Sequence, residues 1–111
     1  MTIRITVAEK TKFSVRGTIT SESGAAESFE FRLTARRMGT AALQAALSDT
    51  DLKVDGFLAD VVLDWQGVLD DEGREVQFSQ ETMDKLFDSV SGLSSLAFKA
   101  YLEANGAKEK N

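Results

Sequence analysis

The chain has 111 residues, 42% of them hydrophobic and 28% charged, and it contains no cysteine, histidine or proline. That is the composition of one small globular domain, and it excludes disulfides, thiolate metal sites and any catalytic scheme built on a cysteine nucleophile or a histidine base. The net charge of −5 is unevenly spread, since residues 1–40 carry a balance of +3 and residues 41–111 a balance of −8.

Met1–Val7 is too short and too polar to read as a secretory signal. No apolar run approaches the roughly 18 residues of a membrane span, so a cytoplasmic protein without membrane partners is expected. Phe13, Val15 and Ile19 alternate with polar neighbours across Lys12–Ile19, which predicts a strand. Thr20–Ser28 is small and polar around Gly24 and reads as a loop. Phe29, Phe31 and Leu33 alternate with Glu30 and Arg32, which predicts a second strand. The two strands form a hairpin with one apolar face, and a lone hairpin needs that face covered.

Gly39-Thr40 opens a short helix over Ala41–Leu47. Asp49 to Asp51 are placed to cap a further helix, in which Val54, Phe57, Leu58, Val61 and Trp65 share one face. Val61, Leu63 and Trp65 also alternate, so a strand over 61–65 is the alternative; the helix is the reading taken. Asp70-Asp71-Glu72-Gly73 marks a turn, and Val76-Gln77-Phe78 is short and extended. Ser79 is the expected N-cap of a helix with Glu81 in its first turn and Met83, Leu86, Phe87 and Val90 on one stripe. Ser91-Gly92 ends it. A last helix, Leu93–Ala104, is apolar around most of its circumference, with only Ser95, Lys99 and Glu103 as a polar strip. Such a helix is either wedged between two elements or partly reserved for a partner. The tail from Gly106 to Asn111 is expected to be frayed.

Few residues offer chemistry. The acids Asp70, Asp71 and Glu72 are contiguous rather than alternating, and Ser79 stands where a calcium loop needs glutamate, so they read as a solvated turn. The glycines are too scattered for a phosphate loop. Arg32, Arg36 and Arg37 lie near Phe29 and Phe31, an arrangement that can bind single strands. Those aromatics are needed to bury the hairpin, and a phosphate backbone requires a more concentrated basic face, so nucleic acid is not an expected partner. The basic front and acidic back suit head-to-tail self-association, although both sets also simply keep a small domain soluble. No cofactor, metal or catalytic residue is expected.

The second half carries a recognisable order: Trp65-Gln-Gly-Val68, then Asp70-Asp-Glu-Gly73, then Val76-Gln-Phe78-Ser79, two amphipathic helices, Ala100-Tyr101, and a Lys110-Asn111 end. In this order the chain resembles the tail assembly chaperones of tailed phages and prophages, from about Phe13 to the C-terminus. The resemblance implies a non-enzymatic protein that binds the tape measure protein before the tail tube assembles, that is absent from the finished particle, and that is often also made in a frameshift-extended form. The expected contacts are helix-in-groove, with Phe98, Tyr101 and Leu102 on the wide apolar arc as partner-binding residues. Trp65 is a further candidate, though a lone tryptophan on a helix stripe reads first as core. The other readings are a structural minor tail or tube-completion component and an acidic, antitoxin-like inhibitor. The expected fold is α+β in one domain: a β-hairpin part over residues 1–38, a helical part of four helices over 39–105, and a flexible tail over 106–111.

Overall fold

The structure, a computed structural model, describes residues 9–106. The chain is α+β, as the pattern predicts. Strands β1 (Lys10–Thr20) and β2 (Ala26–Arg36) form the antiparallel hairpin, with Phe13 opposite Leu33, Val15 opposite Phe31 and Gly17 opposite Phe29. Because side chains alternate across a strand, these six share one face, where Val15, Phe31 and Leu33 are buried together with Ala35. Gly17 is small for a reason: the Phe29 ring lies over it, so an added Cβ would come within 2.8 Å of Phe29 Cζ. The even-numbered residues point the other way. Lys10, Lys12, Arg16, Arg32 and Arg36 therefore occupy the open face, where Glu30 pairs with Arg16 at 2.7 Å.

The helical half departs from the expected four consecutive helices. Helix α1 (Thr40–Leu47) forms as predicted, but none of its residues is buried, and Leu43 and Ala46 only lean against the core. Asp49 caps no helix: its Oδ1 accepts the Asp51 N–H at 2.9 Å within a turn. Helix α2 (Val54–Val61) starts at Val54 without a side-chain cap and buries Phe57, Leu58 and Val61. It then stops, and Val62–Gln66 runs directly on as strand β3, pairing antiparallel with β2 in the order β1-β2-β3.

This corrects the reading of 54–65 as one helix, and the alternation of Val61, Leu63 and Trp65 does not describe the strand either. The β2–β3 register shifts between Thr34 and Ala35, which face Asp64 and Val62, so Leu63 is an extra residue in the ladder. A bulge of this kind offsets the side-chain alternation by one. Val62 and Trp65 thus both turn inward while Leu63 is exposed. The driving force is tertiary. The free edge of β2 has backbone groups to satisfy, and β-branched Val62 fits a sheet better than a helix.

Helix α3 (Gln80–Ser89) starts as expected at Ser79, whose side chain accepts the Thr82 N–H at 3.1 Å while Thr82 Oγ1 accepts the Ser79 N–H at 2.9 Å. Gly92, with φ +84°, takes the left-handed conformation that lets the chain turn tightly into α4 (Leu93–Asn105). Wedging accounts for most of the apolar arc of α4, while Leu96 stays exposed. The helix packs against β1 on one side and α2 on the other. It buries Leu93, Ala97, Tyr101 and Asn105, residues four apart on one line.

The far end of α4 is locked to the exit of β2. The Tyr101 hydroxyl donates to the Arg36 carbonyl at 2.8 Å. Asn105 Oδ1 accepts the Met38 N–H at 2.7 Å, its Nδ2 donates to the Met38 carbonyl at 2.9 Å, and Arg37 donates to the Asn105 carbonyl at 3.1 Å. One side-chain amide thus reads the backbone of one residue as a strand partner would. The expected tail past Gly106 lies outside the described residues.

Candidate partner-binding surface

Of the four residues expected to meet a partner, two have no surface to offer. Tyr101 is fully buried, edge-on to Phe13 and Phe57 at ring separations of 6.0 and 5.5 Å. Burial raises its hydroxyl above the ordinary pKa of 10.0, against the pull of the Arg36 and Arg37 cations and with a smaller push from Asp60. Trp65 is 5% exposed; its Nε1–H donates to the Val76 carbonyl at 2.8 Å and its ring meets Phe78 edge-on. It holds the extended stretch before α3 against the sheet. The placement of Tyr101 corrects the expectation of a contact role, because that side of α4 is covered by α2 and β1; Trp65 takes the core position in which it reads first. Phe98 and Leu102 are half-buried, and Phe98 packs edge-on against Phe57 at 5.2 Å.

The acidic turn is likewise spoken for. Asp70 Oδ1 accepts the N–H groups of Glu72 and Arg74 at 2.9 Å, and Arg74 pairs with Asp70 at 3.4 Å and with Glu72. The aromatics near the basic knot face inward, on the side of the sheet away from Arg32.

An apolar cleft opens instead where the hairpin outruns its helical cover. It has a volume of about 160 Å³ and is lined by Ile19, Phe29 and Phe31 of the hairpin, Gly67–Leu69 after β3, Leu86 of α3, and Val90 and Leu93 beyond it. Its construction follows from the strands. The inward alternation of β1 continues to Ile19, but the cover ends near Gly17, against which Leu96 packs. Ile19 remains 41% exposed in consequence. On the other rim, Gly67, with φ +85°, ends β3 beside the Phe31 backbone and turns the chain so that Leu69 stands 56% exposed. The 68–76 reversal that carries Leu69 is fixed by the Val76 N–H bond to Val68 at 2.8 Å and by the Asp70 turn. Only Glu30 among the lining side chains is charged. Such a concavity can hold apolar side chains.

The sequence carried a faint sign of this cleft. Ile19 stands between two threonines at the end of a strand pattern, and Leu69 follows Val68 immediately before an acidic turn. Nothing in the spacing said that they would meet.

Fold and cleft together define a small α+β protein with an apolar concavity at one end of its hairpin. The chain belongs to the YdaY prophage protein family, whose model matches residues 22–111, from the hairpin turn to the end of the chain. Strand β1 precedes the matched segment. No curated protein and no solved structure matches the chain. Among the described residues, no helix is long and apolar enough to cross a membrane.

Proposed function

We propose that this prophage protein is a tail assembly chaperone that shields apolar helical segments of the tape measure protein in the host cytoplasm, acting by binding and not by catalysis. The observation that carries the reading is the apolar cleft with Ile19 and Leu69 on its rim, 41% and 56% exposed, which brings together two of the six large apolar residues exposed among the described residues. Large uncovered apolar residues gathered around one concavity mark an interaction site, whereas scattered ones do not. An amphipathic helix presents its apolar side chains at i, i+3, i+4 and i+7, and a cleft of this size would receive one or two of them. The order of motifs from Trp65 to Asn111 supports the choice of partner, and membership of a prophage family supports the setting.

Co-expression with the tape measure protein of the same prophage tests it. The wild-type chain should raise the soluble yield of the long partner and co-purify with it. Leu69→Glu and Ile19→Glu should lose both effects while melting near the wild-type temperature. A partner that stays insoluble with the wild-type chain would end the chaperone reading, and the chain's presence in purified particles would favour a structural tail component.

A further inference from the structure

Among the described residues, strand β1 lies at the edge of the sheet and pairs only with β2. Which of its backbone groups face outward follows from the ladder. The Arg37 N–H donates to the Glu9 carbonyl and the Ser21 N–H to the Ala25 carbonyl, both at 2.8 Å. Hydrogen-bonded pairs recur at every second residue in an antiparallel ladder, so the odd-numbered residues of β1 bond to β2. Lys10, Lys12, Ser14, Arg16 and Thr18 therefore aim their N–H and C=O groups away from the sheet. This edge is eleven residues long, contains no proline, and its pairing with β2 runs without a shift.

Beside the edge runs a groove of about 710 Å³, bounded on the strand side by Thr11 to Ser14 and Arg16 and on the helix side by Leu96, Lys99, Ala100, Glu103 and Ala104 of α4. Residues of both parities from β1 line it, which places it along the strand's edge and not on either face. Leu96, Ala100 and Ala104 are four apart and form a narrow, small-residue floor, with Leu96 42% exposed. A strand laid against β1 would set alternate side chains over that floor. Its remaining side chains would stand on the open face beside Lys10, Lys12 and Arg16.

Charge selects the occupant. Among the described residues, Lys10, Lys12 and Lys99 make no ion pair, whereas Arg16 is engaged by Glu30. Glu103 is the one acid in the groove. A second copy of β1 would bring its own Lys10, Lys12 and Arg16 onto the same face, and like charges on neighbouring strands repel. An acidic strand would meet unpaired lysines instead. We propose that the β1 edge takes an extended segment of a partner protein as a fourth strand, with acidic residues at alternate positions and small apolar residues between them. This does not rest on the chaperone reading, since it uses a different surface.

The test uses the full chain and a synthetic peptide of alternating glutamate with valine or alanine, alongside its lysine counterpart. The acidic peptide should bind and slow amide exchange at Lys12, Ser14 and Arg16, and the basic one should not. Lys12→Glu with Lys99→Glu should weaken binding by about tenfold or more, as loss and reversal of charge-assisted contacts does, without moving the melting temperature appreciably. Ser14→Pro removes only an outward N–H and should block the edge while sparing the β1–β2 ladder; should it misfold, the double charge reversal carries the test. Equal binding of the two peptides, or binding of neither, would overturn the proposal. So would a concentration-dependent dimer that competes with the acidic peptide, since the edge would then belong to a second copy.

Discussion

The two ends of the hairpin are finished in opposite ways. At the end where β2 leaves the sheet, Tyr101 and Asn105 bind the backbone of Arg36 and Met38, and no buried side-chain polar atom among the described residues lacks a partner. At the turn end, the helices stop short, and Ile19, Leu69 and the half-buried Phe29 are left around an open cleft. A small domain has little apolar surface to spare. Leaving some of it uncovered at one end is affordable only because the other end is closed by specific hydrogen bonds and aromatic packing. The closed end is held by specific hydrogen bonds, and the open end is the one that the proposed function gives to a partner.

The largest effects should come from breaking the closed end. Tyr101→Ala removes a fully buried ring and should cost about 3–5 kcal/mol, read as a fall in the denaturant midpoint. Asn105→Ala leaves the Met38 N–H and carbonyl without their partner and should cost about 1–3 kcal/mol. The conservative Asn105→Gln should not rescue it, because the longer chain misplaces the amide.

Between the two ends, Gly17→Ala pushes a methyl into the Phe29 ring and toward Leu96, whose Cδ1 would lie 3.1 Å away. Overpacking of this kind costs about 1–3 kcal/mol, and because Phe29 lines the cleft it should weaken tail-partner binding as well. Thermal melting and pull-down on the same variant check both. At the open end, Leu69→Glu should change stability by no more than about 0.5 kcal/mol and still lose binding.

The smallest effect is a pH slope. The folded-state pKa of Tyr101 is raised above 10.0. Below pH 10 both folded and unfolded chains hold the proton and its contribution is fully present. Above that, the unfolded chain ionises first and stability falls until the pH passes the folded value. Since Tyr101 is the one tyrosine, its phenolate absorbance reports the titration directly, and Tyr101→Phe should remove that part of the slope.

The same contrast explains what could be read from the sequence. The hairpin alternation, the Ser79 cap and the turn at Asp70 are local devices, each contained within a few residues, and the structure keeps all three. The segment 54–66 defeated a local reading because its outcome depends on the β2 edge: Val54, Phe57, Leu58 and Val61 do lie on a helix, yet a bulge at Leu63 then turns Trp65 inward from a strand. Tyr101 looked available for contact because periodicity shows how much of a helix is apolar and not how many neighbours enclose it. Asn105 drew no attention as a single polar residue near the end of a helix, and its role appears only against Met38, 67 positions earlier in the chain. The cleft gathers residues from four separate stretches, and no short window contains it.

Amide hydrogen exchange on the protein alone and in its co-purified complex with the tail partner tests the division between the two ends most directly. The account predicts slowed exchange around Gly17–Ile19, Gly67–Leu69 and Leu86–Leu93 in the complex, with Arg36–Met38 already slow in the free chain and little changed. Protection confined to the segments around Asp55 of α2 and Asp84 to Asp88 of α3, with the cleft segments unaltered, would contradict it.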